Sequence, residues 1–322
     1  AHASRLQDAR PGVNLPLRAE GRVVGVVGLS GAPAQIRQHA ELVRMAAETM
    51  LEQARLMQVL AHDARLREEL VLQLIGMAPA TFTRDDTAAE WARRLRVDLA
   101  QPRVALLIEI GGATAAADAV LAAQQGLKRL LAASEPELLW AAVSLGELAV
   151  LLPLPAAADA MARVRARVEA LQARLSADGV GLRCALGGAF GGREGLVRSW
   201  QSARATLRVG RRRQPAATLH CYTGLTLAVL LSGLAEGWRA DELQRPLQRL
   251  AAHDRDGQLR RTLAAWFAHG MKTAASAEAL HVHRNTLDYR LRRIAELTGL
   301  DLGRLDDCLL LFIGLELDDA ED

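Results

Sequence analysis

The chain predicts an α+β protein of several domains, and three observations carry that prediction. Its 322 residues exceed one ordinary domain. Apolar residues follow strand spacing at the start, alternate between strand and helix spacing from Asp85 to Cys221, and keep helix spacing alone after Thr223. A helix far longer than is usual in globular proteins joins the first stretch to the second. The expected parts are residues 1–76, a hairpin with a long helix; 77–222, an α/β domain; and 223–322, an all-α domain.

Val13–Leu17 and Arg22–Leu29 read as a hairpin, with Glu20-Gly21 as the turn between two Val/Leu-rich runs. Ser30-Gly31-Ala32-Pro33 stops the second strand and starts a helix, because proline suits the first helical turn. The helix runs from Pro33 to about Gly76. Ile36, Ala40, Val43, Ala47, Met50, Ala54, Met57, Ala61 and Ala64 follow a 4-3 alternation along it. That is a heptad seam, and it points either to pairing between two chains or to a first half covering its own sheet with a kink beyond.

Asp85–Arg96 reads as a helix, Arg103–Ile110 as a buried strand and Thr114–Ala132 as a helix. Leu138–Val143 and Glu147–Leu152 form a hairpin around Ser144-Leu145-Gly146. Ala156–Leu175 is an amphipathic helix, Gly181–Leu186 a strand, Arg193–Arg208 a helix and Thr218–Cys221 a last strand. This alternation predicts one sheet covered by helices. Arg211–Arg213 is expected to be a solvated linker. Helices follow at Leu225–Leu234, Ala240–His253, Leu259–His269, Lys272–Leu280, Arg284–Leu297 and Asp306–Leu317, with Gly299 as a C-terminal glycine.

Composition narrows the function. Half the residues are hydrophobic and 24% are charged, as in soluble proteins. Aromatics reach only 3%, so aliphatic side chains must do the packing. A net charge of +3 is too small to mark a nucleic-acid protein, so a local cluster must carry that reading. Cys184, Cys221 and Cys308 lie far apart, which fits a reducing, cytoplasmic compartment and no disulfide framework. The longest apolar runs, Leu148–Leu154 and Leu225–Leu231, are too short to span a bilayer, so no membrane partner is expected. The chain opens on Ala1 and soon reaches a strand. It is expected to be the remainder of a longer protein, with a processed or engineered start as the alternative.

The chemistry concentrates in "SAEALHVHRNTLDYRLRRI". Ala277 and Leu280 end one helix, Val282 plugs a short turn, and Leu287, Leu291 and Ile294 fall on one face of the next. That is the spacing of a helix-turn-helix. At 100° per residue, Asn285, Tyr289 and Arg292 point opposite Leu287, with Asp288 beside them on one side and Thr286 and Arg293 on the other. Arg284 and Arg290 flank the apolar stripe. Amides and guanidiniums are the groups that bond base edges and phosphates. A solvated basic face is the alternative, and the preceding helix and turn weigh against it. A metal site fails on spacing. His281 and His283 are two apart in a turn, with no third ligand nearby. His281 sits where such turns hold glycine, and His283 is placed to cap the second helix or touch phosphate.

"ALHVHRNTLDYRLRRIAELTGLDL", followed by "DDCLLLFIGLEL", resembles the C-terminal domain of PucR-type transcription regulators. "VNLPLRAEGRVVGVVGLSGAPAQIRQHAELVRMAAETMLEQ" is similar to the end of the sensor domain in their sugar-diacid (CdaR) branch. Set against that resemblance, the chain is expected to hold only the end of the sensor domain. The resemblance implies a partial sensor hairpin with a long signalling and dimerisation helix, a degenerate GGDEF-like middle domain, and a helix-turn-helix domain. It implies a homodimer or higher homo-oligomer on a double-stranded DNA operator. It also implies a small dicarboxylate effector, a sugar diacid or glycerate, taken up by the full sensor and controlling a catabolic operon. The effector-binding residues are not assigned. Arg18 and Arg22 suit carboxylates, but arginines on a hairpin are common.

"VSLGELAVLLP", Val143–Pro153, resembles the diguanylate cyclase hairpin, whose motif is Gly-Gly-Asp-Glu-Phe. Here Ser144-Leu145-Gly146-Glu147-Leu148 stands in its place. Glycines that admit the nucleotide and a carboxylate for the metal ions are gone, so no catalysis, metal or cofactor is expected. A nucleotide-metabolising enzyme built on this domain is the alternative from another class, and a protein-binding adaptor a third. "GGAFGG", Gly187–Gly192, matches no phosphate-loop spacing and is read as a plain turn ahead of an anion site.

Overall fold

In a computed structural model, residues 11–76, 86–111, 116–135, 138–175, 181–192 and 194–318 are described. The expected element starts at Asp85, Thr114 and Arg193 lie outside them. The chain divides into two compact units, Ala1–Glu69 and Leu70–Asp322.

In the first unit, β1 (Gly12–Ala19) and β2 (Arg22–Ser30) form an antiparallel hairpin with a bulge at Leu17/Arg18. Glu20 and Gly21 both have positive φ, 49° and 77°. That is the two-residue turn whose twist matches the flanking strands. Helix α1 (Pro33–Gly76) is continuous, and its stretch to Glu69 belongs to this unit. Ala40 is fully buried, Glu48 accepts from the Arg18 N–H and Arg55 pairs with Glu20. One side of α1 as far as Arg55 therefore serves the hairpin. Elsewhere along it Leu42, Met45, Met50, Leu56, Met57, Val59 and Leu60 are exposed.

The second unit begins with Leu70, Val71, Leu74 and Ile75, all buried. Its further elements are α2 (Asp86–Arg94), β3 (Arg103–Ile110), α3 (Ala117–Ser134), β4 (Leu139–Ser144), β5 (Glu147–Pro153), α4 (Ala160–Leu175), β6 (Leu182–Leu186), α5 (Gly195–Arg213) and β7 (Leu219–Cys221). The sheet has five strands in the order β4-β5-β3-β6-β7, antiparallel except for the β6–β7 pair. Val104, Leu106, Ile108 and Ile110 share a core with Leu127 and Leu131 of α3 and Val164, Val168 and Leu171 of α4. Residues between them face α5. Both faces of β3 are covered, hence its unbroken apolar run.

Helix α5 lies close to the sheet because small residues permit it. Ser199 Oγ accepts from the Ala105 N–H at 2.8 Å. A Cβ on Gly187 would strike the Ser199 carbonyl, and one on Gly195 the Phe190 carbonyl. Two glycines of the region around "GGAFGG" thus serve backbone packing. The expected solvated linker at Arg211–Arg213 is corrected. These residues form the last turn of α5, where Arg211 pairs with Glu109 and Arg213 with Glu316. Basic residues favour a helix C-terminus in any case.

The remaining helices are α6 (Tyr222–Ser232), α7 (Trp238–Ala251), α8 (Gln258–Ala268), α9 (Thr273–Ala279), α10 (Arg284–Thr298) and α11 (Leu305–Asp318). Leu247, Leu250, Leu263, Trp266, Ile294, Leu311 and Leu315 form their core. Among the described residues, no helix is long and apolar enough to cross a membrane. The three cysteines are unpaired, and burial pushes the Cys184 thiol up to about 12, which leaves it unreactive.

Candidate nucleic-acid interface

The turn between α9 and α10 is built by backbone hydrogen bonds. The Val282 N–H donates to the Ala277 carbonyl and the His281 N–H to the Glu278 carbonyl, both at 3.0 Å. This pair is the Schellman closure of a helix C-terminus. It requires a left-handed residue between the two helices, and His281 supplies it with φ 53°. His283 is the N-cap of α10, where its Nδ1 accepts the Asn285 N–H at 3.2 Å. With Nδ1 accepting, the ring proton sits on Nε2, leaving a donor for other partners. Gly299 closes the far end in a left-handed conformation, φ 75°.

Leu287 and Ile294 are fully buried, and Ala277 is buried under them in sequence at the end of α9. Leu291 packs against the helical core, while Leu280 and Val282 are half-buried. Burying two such side chains contributes about 1.5–3 kcal/mol each, enough to hold the helix in one orientation. The opposite face is open. Asn285, Thr286, Tyr289, Arg292 and Arg293 are exposed, with Tyr289 at 68%. An exposed phenol and guanidinium on an anchored helix can reach a partner without moving the backbone.

The arginines differ in what they do. Arg284 lies 3.9 Å from Asp288, and Arg293 lies 2.9 Å from Glu296. Both pairs are exposed and worth little, so either arginine can exchange its partner for phosphate. Arg290 is half-buried and donates to Thr262 Oγ1 of α8 at 3.4 Å. Thr262 is 28 residues away, so helix spacing alone gave no sign of this contact.

The middle sheet contains a second polar group. Glu109 of β3 stands directly opposite Glu147 of β5. Arg211 pairs with Glu109, and a cleft of about 350 Å³ beside them is lined by Glu147, Gln201, Arg204 and Arg208. Glu109 went unnoticed in the sequence, where it sits inside an apolar strand. Among the described residues, no three His, Cys, Asp or Glu side chains converge as metal ligands.

Comparison with known proteins adds three matches to family models. Residues 1–74 match sugar diacid recognition, residues 81–209 a GGDEF-like domain, and residues 259–317 the PucR C-terminal helix-turn-helix domain. The chain is 47% identical to the carbohydrate diacid regulator of Escherichia coli over 99% of its own length and 83% of that protein's. It is 33% identical to an uncharacterized protein of Haemophilus influenzae, covering 97% of this chain and 81% of that one. A Bacillus subtilis protein, YsfB, is 27% identical over 97% of this chain and 80% of its own.

Proposed function

Because the chain belongs to the family of the carbohydrate diacid regulator, PucR-type helix-turn-helix transcription regulators, we propose that α10 is its recognition helix and lies in the major groove of an operator. Asn285 and Arg292 read base edges, as amide and guanidinium groups do for adenine and guanine. Tyr289, Thr286 and Asp288 adjust the fit beside them. Arg284, Arg293 and the Nε2–H of His283 hold phosphates, and Arg290 divides its donors between Thr262 and the backbone of the DNA. The observation that carries this reading is the polar outward face on a helix whose inner face, Leu287 and Ile294, is fully buried.

The same proposal assigns the other parts. Residues 1–76 belong to the sensor for a small dicarboxylate, residues 77–222 to a GGDEF-like spacer without catalysis, and residues 223–322 to DNA binding. Two copies read two half-sites about one helical turn of DNA apart. They pair through the exposed apolar stretch of α1 that includes Met50 and Met57. Ligand binding shifts the population of arrangements of that helix pair.

Fluorescence anisotropy on the DNA upstream of the gene, at two salt concentrations, tests the interface. Wild type should bind with a steep salt dependence. Asn285→Ala with Arg292→Ala should lose about 2–6 kcal/mol of discrimination between operator and unrelated DNA. Unchanged preference in the double variant would remove α10 from the recognition role.

A further inference from the structure

Helix α5 ends in a dense run of arginine. Arg208, Arg211, Arg212 and Arg213 all stand in the wall of one cleft of about 400 Å³. The cleft lies between the last turns of α5, α6 with the loop that follows it, and Glu316 of α11. Val209, Ala228 and Ala235 supply its apolar lining.

Two of the four arginines are accounted for. Arg211 pairs with Glu109 and Arg213 with Glu316. Arg208 and Arg212 are exposed, and among the described residues neither has a carboxylate within ion-pair distance. They stand one turn apart on the same helix face, where like charges repel. The helix dipole does not explain the pair. It favours cations in the last turn, and Arg208 precedes that turn.

The chemistry of this wall calls for an anion. Each guanidinium presents a fork of donors that matches two oxygens of an oxyanion. One carboxylate fills one fork. Two neighbouring forks are better matched by the three terminal oxygens of a phosphate monoester. A volume of about 400 Å³ is that of a small-molecule site rather than of a lone ion. The other polar groups of the lining accept hydrogen bonds. Ser232 Oγ donates to the Val229 carbonyl at 2.8 Å, which leaves its lone pairs for a ligand. Glu236 has no ion-pair partner among the described residues. Both suit hydroxyl groups on the body of the ligand.

We infer that this cleft binds a small phosphorylated molecule that carries hydroxyl groups. Arg208 and Arg212 take the phosphate, and Glu236 and Ser232 accept from the hydroxyls. Arg213 stands in the same wall, so the ligand competes with Glu316 for its guanidinium. That ion pair joins α5 to α11, and occupancy therefore bears on the joint between the sheet and the C-terminal helices. The site is separate from α10 and from the sensor hairpin.

Calorimetry of the full-length chain without DNA tests the site, with glycerol 3-phosphate as the probe. One site per chain is expected, with a Kd of about 1 mM or below. Arg208→Gln with Arg212→Gln should weaken binding at least about tenfold through the loss of two charge-assisted contacts. Both positions are exposed and glutamine keeps helix propensity, so the thermal melt should not move. Arg163→Gln with Arg165→Gln removes the same charge from α4 and should change the affinity less than about twofold, because salt screens distant charges. No binding at about ten times the expected Kd overturns the inference, as does equal weakening by the two pairs. Tighter binding of succinate than of glycerol 3-phosphate overturns it by giving the arginines to carboxylates. Loss of operator binding in Arg208→Gln with Arg212→Gln, with the probe's affinity unchanged, overturns it by giving them to the DNA backbone.

Discussion

Gly210 lies inside α5, where alanine is normally the better residue by about 1 kcal/mol. Here alanine should destabilise. A Cβ at this position would stand 2.5 Å from Nδ1 of His220 and closer still to Cγ. The imidazole is fully buried on β7, so it has nowhere to retreat. Overpacking costs roughly 1–3 kcal/mol, and a contact this short against a fully buried ring belongs at the upper end, about 2–3, which outweighs the gain in helix propensity. Gly210→Ala should therefore lose about 1–2 kcal/mol. In a His220→Ala background the same change should gain about 1 kcal/mol, because the obstacle is gone and only propensity remains. The coupling of about 2–3 kcal/mol is what residues in direct contact show. Urea unfolding followed by circular dichroism and tryptophan emission reads it, since Trp200 is buried on the same helix. Midpoints should move by roughly 0.5–1 M, in opposite directions in the two backgrounds. If Gly210→Ala stabilises the wild type, or destabilises both backgrounds equally, the packing argument is wrong.

Three other outcomes follow from single groups. Burial, together with Arg183 and Arg211, lowers the pKa of His220 below its ordinary value. The unfolded chain then binds its proton first, so this contribution is complete above about pH 6.5 and is lost as pH falls toward the folded-state pKa. Melting scans from pH 7.5 to 5.5 should show a drop that His220→Leu reduces, and an equal drop in both proteins would exclude His220 as its source. At the α9–α10 turn, His281→Gly removes a left-handed strain of about 1–2 kcal/mol against a glycine entropy cost of about 0.5–1. Stability should rise by about 0.5–1 kcal/mol with operator affinity within about twofold; a loss of affinity would mean that His281 contacts DNA. Leu287→Ala should cost about 2–5 kcal/mol and abolish operator binding by unseating α10, as seen by denaturation and anisotropy.

Helix α10 was legible because everything that defines it as a helix is local. Leu287, Leu291 and Ile294 repeat at helical spacing, and His281, His283 and Gly299 mark its ends within a few residues. The strand at Arg103–Ile110 was equally plain, since the consecutive apolar residues Val104–Ile108 declare two covered faces. What escaped were features decided at long range. Helix α5 was expected to stop at Arg208 and runs to Arg213, because Arg211 and Arg213 find Glu109 and Glu316. These acids lie about a hundred residues away on either side, and no local pattern reports them. Helix α6 begins at Tyr222 rather than Leu225, with a non-helical backbone at Leu225 itself. Arg290 was expected to flank the apolar stripe, and nothing local announced Thr262 of α8 beside it.

The Glu109–Arg211 pair also leaves the middle sheet poorly suited to metal-dependent phosphate chemistry. Two carboxylates opposite each other on neighbouring strands repel unless a cation lies between or beside them. In a metal-dependent site that cation is a divalent ion, and it needs further oxygen ligands and an open approach. Ser144-Leu145-Gly146 supplies no carboxylate at the hairpin, and the cation at Glu109 is a guanidinium on α5. A metal ion would have to displace that guanidinium, strand it near Arg183 and Arg208, and still lack ligands. At this corner the hairpin offers no metal carboxylate, and the charge of Glu109 is met by the protein's own guanidinium. The same pairing bears on where α5 ends. The helix is tied to the sheet through Arg211 and to α11 through Arg213, so it links the sheet to the helices that carry α10.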